Sequence, residues 1–163
     1  MSDTRVLGLV GWSGCGKTLL LTRLIPELVK RGLKVATLKH AHHSFDTDVP
    51  GKDSYEHRKA GASEVIVSSP RRWAQVHEIG DDTEATLAQL LRRVSPCDLV
   101  LVEGYKTHPF PKLEVYRPAL GKPPIWPEQS DVVAVASDGP VETDRRQLPL
   151  NDPAAIAAWV SNG

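Results

Sequence analysis

Residues 5–18 read RVLGLVGWSGCGKT: an apolar run, then three glycines, a lysine and a hydroxyl within eight residues. A turn needs one glycine; three so close together indicate that something must approach the backbone itself. Arg5–Val10 reads as a buried strand. Lys17 to Arg31 then carries Leu20, Leu21, Leu24, Ile25, Leu28 and Val29, a stripe with the helical period of about 3.6. Gly32 fits just past the end of that helix. Gly11 followed by Gly16-Lys17-Thr18, after a strand and opening a helix, is the phosphate-loop pattern in the context it requires. Glycines let successive N–H groups turn inward around a phosphate, and the helix N-terminus adds partial positive charge. Lys17 reaches terminal phosphates as a mobile point charge, and Thr18 offers its hydroxyl to a Mg²⁺ that bridges phosphate oxygens. Gly11, Trp12, Ser13, Gly14, Cys15, Gly16, Lys17, Thr18 and Leu19 are therefore expected to line a nucleotide. The competing reading, a glycine turn with a chance lysine, should arise in well under ~1% of chains of this length.

Outward from the loop, strand and helix signals alternate. LKVATLKH is a second strand, and Ala41 to Asp53 is a long polar loop without periodicity. Ser54 to Lys59 is a short helix stopped at Gly61. SEVIVSS and WAQVHEI are strands separated by PRR. Asp81 or Asp82 caps a helix with Leu87, Leu90, Leu91 and Val94 on its apolar face. CDLVLVEG and DVVAVASD are strongly buried strands, whereas KLEVYR, Lys112 to Arg117, alternates like a half-exposed one. Pro118 to Pro127 reads as loop. NDPAAIAAWV is a final helix with Asn151 or Asp152 as cap and Pro153 in its first turn. Pro26, inside the first helix, predicts a bend. The expected fold is α/β: a mostly parallel sheet covered on both faces by helices, with an antiparallel segment added in the middle. One domain fills residues 1–163, with about 62–80 and 110–130 as strand and loop insertions, candidates for a dimer interface.

Composition narrows the function classes. The chain has 163 residues, 40% of them apolar and 25% charged, with 20 basic and 20 acidic side chains. A core can form, and the absence of basic excess speaks against a general nucleic-acid binder. With no run long enough to span a bilayer and no leader pattern, the expectation is a cytoplasmic protein without membrane attachment. Cys15 and Cys97 fall at opposite ends of parallel strands, about 20 Å apart, so no disulfide is expected.

A phosphate loop needs a second acid for its metal. DLVLVEG supplies Glu103 at the C-terminal end of a buried strand, on the rim where ligands bind; pairing of that carboxylate with Lys106 is the alternative. Asp98 is at the wrong end. The loop HAHHSFDTDVPGKDSYEHRKAGA gathers His40, His42, His43, Asp46, Asp48 and Asp53. Zinc is one reading, without tidy ligand spacing. A second makes it a switch-like loop. Asp48 then completes the Mg²⁺ shell through water, and anionic substrate groups meet Lys39, His40, Lys52 and Arg58, with His42, His43 and Lys106 as further candidates. The third is a solvated loop. No Asn-Lys-x-Asp tetrapeptide occurs to read guanine. Asp138, closing VAVASD, either pairs with the N1 and N2 edge of guanine, helped by Asn151 or Asp152, or caps the turn before Gly139-Pro140.

In order along nearly the whole chain, GWSGCGKT, KHAHHSFDTDVPGKDSYEHRKAGA, RRWA, DLVLVEGYK, VVAVASD and NDPAAIAAWV resemble the MobB family of molybdopterin-guanine dinucleotide biosynthesis proteins. The phosphate loop alone is unspecific; DxDxPGKDSYxxRKAGA and LVEGYK are much more specific. The resemblance implies a P-loop NTPase fold of the dethiobiotin synthetase-like kind, GTP binding with Mg²⁺, weak GTPase activity and a homodimer with shared strands. It also implies assistance to MobA, a guanylyltransferase that attaches GMP to molybdopterin or its molybdenum form. Carried over by position, Gly14, Gly16, Lys17 and Thr18 hold phosphates, with Thr18 and Glu103 near the metal. Cys15 stands where Thr is commoner, and Leu19 where a second Thr often follows; neither removes a required donor. ALGKPPIWPEQ matches the family poorly and takes no role. The function expected is that of a GTP-binding accessory protein, hydrolysing slowly because no glutamine or arginine is evident to position water or neutralise the transition state. The alternatives are a small-molecule kinase or ATP-dependent ligase, and a scaffold with a vestigial loop.

Overall fold

The computed structural model describes residues 4–41 and 44–163. In chain order the elements are β1 (Arg5–Val10), α1 (Lys17–Lys30), β2 (Val35–Lys39), α2 (Asp53–Lys59), β3 (Glu64–Ser68), β4 (Trp73–His77), α3 (Leu87–Leu91), β5 (Leu99–Glu103), β6 (Lys112–Tyr116), β7 (Val132–Ser137), β8 (Arg146–Pro149) and α4 (Pro153–Asn162), with a 3₁₀ turn at Pro118–Leu120. They fall into two compact units. The first runs to His40 and resumes at Arg93–Gly163; the second is Ala41–Arg92.

The first unit is built on one six-stranded sheet in the order β2-β5-β1-β6-β7-β8, parallel at every pairing. β1 thus lies in the middle, with later strands added on both sides. α1 and α4 lie on one face, where Leu20, Leu24, Leu28, Ile156 and Val160 bury Leu7, Leu9, Leu101, Leu113 and Ala136 in a single cluster. On the other face Val10, Val132 and Val135 meet Trp126, so at that patch an irregular segment supplies the cover. Asp152 caps α4 by accepting from Ala155 N–H at 3.0 Å, and Pro153 opens it. Gly32 follows α1 at φ +85°, a left-handed position that stops a helix at no steric cost.

KLEVY is not half-exposed. β6 lies between β1 and β7, and Lys112 and Glu114 are fully buried at 0% exposure. Their charges produce the alternating pattern, and each is satisfied by groups outside β6. The Lys112 ammonium pairs with the Asp131 carboxylate, donates to the His108 carbonyl at 2.5 Å and lies 4.5 Å from the Phe110 ring centroid. Glu114 accepts from the N–H groups of Ile125 and Trp126, both at 2.9 Å. Burial raises its pKa above the ordinary carboxyl range, partly offset by those two donors. The register between β6 and β7 slips beside Lys112, from Lys112↔Val132 to Leu113↔Ala134. β8 escaped the sequence reading because RQLP holds one buried residue, Leu148.

The second unit contains the antiparallel pair β3–β4, as expected, with Ser68 opposite Trp73 and Ile66 opposite Gln75. α3 is capped by Thr86 in a capping box with Gln89, not by Asp81 or Asp82. Thr-x-x-Gln at that point is the signal the aspartates obscured. Among the described residues no helix is long and apolar enough to cross a membrane.

Candidate functional site

The glycine loop leaves the C-terminal end of β1 and enters α1. Gly11 has φ +150°, and a Cβ there would stand 2.6 Å from the Val115 carbonyl oxygen and 2.7 Å from Cys15 Sγ. Only glycine lets the loop pass so close to β6. Gly14 and Gly16 also take positive φ, +80° and +96°. The first hydrogen bond of α1 runs from Leu20 N–H to the Gly16 carbonyl at 2.9 Å. The N–H groups of the preceding turn therefore have no helical acceptor. No side chain caps this end, and its first turn holds no acid, so both donors and dipole are available to an anion. Lys17 folds back over the loop, donating to the carbonyls of Gly11 at 2.8 Å and Trp12 at 3.2 Å. Thr18 and Leu19 open α1 as exposed residues, and Ser13 is exposed too. Cys15 is buried at 1% exposure, a small side chain that fits rather than an accessible thiol. Both cysteines are free.

Glu103 ends β5 in register with Leu9 of β1 and Lys39 of β2. It is half-buried, and among the described residues no ion pair joins it to Lys106. Lys106 instead lies over the Trp12 ring, 5.5 Å from its centroid. His40 N–H donates to the Glu103 carbonyl at 2.9 Å, and its ring stands 4.9 Å from that of Tyr105. Gly104, at φ +101°, makes room for His40: a Cβ would fall 2.8 Å from His40 Cβ. Tyr105 follows in the left-handed region at φ 52°, an unusual conformation for an aromatic residue. VEGYK is thus a tight exit from the central sheet. Asp98 at the opposite end accepts from Lys34 N–H at 2.6 Å.

Asp138, just after β7, pairs with Arg117, just after β6, at 2.5 Å. The turn at Gly139 is held by Ser137, whose hydroxyl accepts from Gly139 N–H at 3.2 Å; Asp138 is not its cap. Arg117 also donates through Nε to the Cys15 carbonyl at 2.8 Å. The sequence reading missed Arg117. The available signal was its place at a strand's C-terminal end, the same logic that selected Glu103. Missed as well was the segment 118–127. Trp12 Nε1 donates to the Pro123 carbonyl at 2.7 Å, and Trp126 packs edge-on against Tyr116, 5.1 Å between centroids.

In the second unit the specific motif folds on itself. Asp48 accepts from Ser54 Oγ and from Arg58 Nε, both at 3.0 Å. Arg58 also pairs with Asp46 at 2.6 Å and Glu78 at 2.7 Å, and the Tyr55 ring centroid lies 5.6 Å from its guanidinium carbon. The Glu78 hydrogen bond, with those of its aspartate partners, holds Arg58 above its ordinary pKa against the opposing effect of burial. Lys52 precedes α2 and is exposed. His42 and His43 lie outside the described residues. Among the described residues no group of three or more His, Cys, Asp or Glu is arranged to hold a metal.

A parallel sheet with its central strand feeding a glycine cage at a helix N-terminus defines a protein of the P-loop NTPase fold. Residues 6–138 match the family model described as molybdopterin guanine dinucleotide synthesis protein B, MobB. The chain belongs to the MobB family. The molybdopterin-guanine dinucleotide biosynthesis adapter protein of Escherichia coli strain K12 is 44% identical over 158 residues, covering 95% of this chain and 90% of that protein. The adapter protein of Haemophilus influenzae is 43% identical over 159 residues, covering 96% and 88%. A crystal structure of molybdopterin-guanine biosynthesis protein B matches with a TM-score of 0.77 at 28% identity, covering 96% of this chain and 97% of that one.

Proposed function

We propose that this chain is a GTP-binding adapter in molybdenum-cofactor maturation. It would deliver or stabilise guanine nucleotide for a MobA-type guanylyltransferase that joins GMP to molybdopterin. The observation that carries the nucleotide half is the uncapped head of α1 beneath a glycine loop, with the Lys17 ammonium already across it. Kinship with adapter proteins at 44% and 43% identity supports the pathway half.

The residues present fit a magnesium nucleotide. The loop N–H groups and Lys17 would hold phosphate oxygens, and a side chain at Gly11 would collide with its own loop and with β6. Thr18 and Glu103 offer hard oxygen donors of the kind Mg²⁺ takes. Bound there, the ion would neutralise phosphate charge. Asp138 would accept from the N–H groups of guanine N1 and its exocyclic amine. Slow hydrolysis is the expectation, since the loop presents no side chain aimed to activate water. A homodimer is the expected assembly, and the exposure of Ile66 and Trp73 on one face of β3–β4 supports it.

Calorimetry of GTP, ATP and GDP, with and without Mg²⁺, tests the reading. GTP with Mg²⁺ should bind best. Lys17→Ala should weaken it by about a hundredfold or more, roughly 3 kcal/mol, with an unchanged thermal unfolding profile. Equal affinity for parent and variant removes the site.

A further inference from the structure

Two functional features of the first unit, the phosphate loop and Asp138, are joined by one side chain that neither motif includes. Arg117 leaves the C-terminal end of β6, which lies between β1 and β7. Its Nε donates to the carbonyl of Cys15, inside the loop, at 2.8 Å. Its Nη1 donates to Asp138 Oδ2 at 2.5 Å. Its Nη2 stands 3.3 Å from where a Cβ on Gly16 would be, so the guanidinium lies directly beside the last glycine before Lys17. The pair is three-quarters covered, with side-chain exposures of 28% and 25%.

A guanidinium is a rigid planar fork. Once Nε is fixed on the Cys15 carbonyl, the direction in which Nη1 meets Asp138 is fixed too. Asp138 Oδ2 accepts this bond through one of its two lone-pair sites, and among the described residues Oδ1 has no protein donor, so both oxygens can still accept. Its carboxylate is therefore held in one orientation relative to the phosphate cage. A carboxylate so held selects a purine edge with two adjacent N–H donors, as guanine has. Adenine presents an acceptor at N1 and no donor at C2, leaving the carboxylate unpaired, which costs affinity.

We propose that Arg117 is a positioning residue for nucleobase selection, orienting the Asp138 carboxylate and locking it to the loop that grips the phosphates. This rests on the guanine-nucleotide reading above. It makes phosphate grip and base discrimination properties of one connected body, with Arg117 touching neither base nor reacting atoms.

The test measures affinities of the full chain for GTP, ATP, XTP and inorganic tripolyphosphate with Mg²⁺. The variants are Arg117→Gln, Arg117→Lys and Asp138→Asn. Arg117→Gln should narrow the GTP-to-ATP preference by about tenfold or more while tripolyphosphate affinity moves less than about threefold. Arg117→Lys keeps the charge but loses the fork, so it should narrow the preference similarly. It is also the second variant should Arg117→Gln fold poorly, because tripolyphosphate binding reports an intact loop. Asp138→Asn should turn the preference toward XTP, whose C2 carbonyl accepts from the new amide. If Asp138→Asn alone changes base preference, Arg117 does not position it and the proposal fails while the guanine reading stands. If Asp138→Asn leaves preference unchanged, the guanine reading fails at Asp138 and takes the proposal with it. Equal losses for GTP and tripolyphosphate in Arg117→Gln make Arg117 a phosphate ligand and overturn the proposal. So does tighter GTP binding, which makes it a competitor for Asp138.

Discussion

Gly11 and Gly14 stand three residues apart in one loop, yet they answer to different forces. A methyl group at Gly11 meets a backbone carbonyl and a buried sulfur; at Gly14 it meets nothing within 4 Å. Both take positive φ, so both carry backbone strain when replaced, on the order of 1 kcal/mol. Gly11→Ala adds overlap with backbone that cannot move aside, and its cost should reach about 3 kcal/mol. Urea unfolding should show Gly11→Ala shifted well below Gly14→Ala; equal midpoints mean that the loop relaxes freely. The glycine pattern is legible because the spacing of Gly11, Gly16, Lys17 and Thr18 is local in sequence, a strand's end running straight into a helix's start. Lys112, Glu114 and Arg117 are not. Their partners are Asp131, the N–H groups at 125–126 and the Cys15 carbonyl, and no local pattern marks a charge for burial when its counterpart lies so far along the chain.

At the scale of elements, the sequence places β6 at its observed position but not its burial: the charges of Lys112 and Glu114 suggest a half-exposed strand, and both are buried. The segment ALGKPPIWPEQ, residues 119–129, matches the family poorly, yet its Ile125 and Trp126 cover Val10, Val132 and Val135 on one sheet face. It is tied down by Glu114 from beneath and by Trp12 from the loop. The Glu114 carboxyl has a native pKa raised above its ordinary 4.5, burial being the main cause. Between those two values the folded chain holds a proton that the unfolded chain has lost. The contribution of this group is therefore fully present below pH 4.5 and declines as pH rises through the native value. Urea titrations from about pH 4 to about pH 7 should show the parent losing stability relative to Glu114→Gln as pH rises. A constant difference across that range means that Glu114 titrates as it does in the unfolded chain.

The chain gathers into two compact units. The second is a helix-and-hairpin body whose polar motif is spent on its own ion pairs around Arg58. Ile66 and Trp73 are 63% and 64% exposed and lie diagonally on one face of the hairpin, as their pairings require. Val65, on the opposite face, is buried. A two-stranded sheet that leaves two large apolar side chains, Ile66 and Trp73, open to water among polar neighbours is a marginal structure by itself, and its edges invite pairing with another copy. Sedimentation should find the parent as a dimer at micromolar concentration. Trp73→Lys should shift it to monomer while leaving nucleotide affinity in place. A parent that is monomeric throughout, or a variant that stays dimeric, places the contact elsewhere or denies it. Sequence alone suggested strands in the middle of the chain; which face they leave bare depends on register, which only the folded pairing reveals.

The ammonium locked within β6 has a consequence for how the sheet assembles. Parallel strands rich in Val, Leu and Ala are nearly interchangeable to one another, and a hydrophobic interior tolerates many of their permutations. Lys112 does not. Its counter-charge lies at the mouth of β7, and a rival ordering or sliding of those strands would leave the buried ammonium without that carboxylate, at a cost of several kcal/mol. A side chain that adds little net stability thus favours one strand order over its rivals.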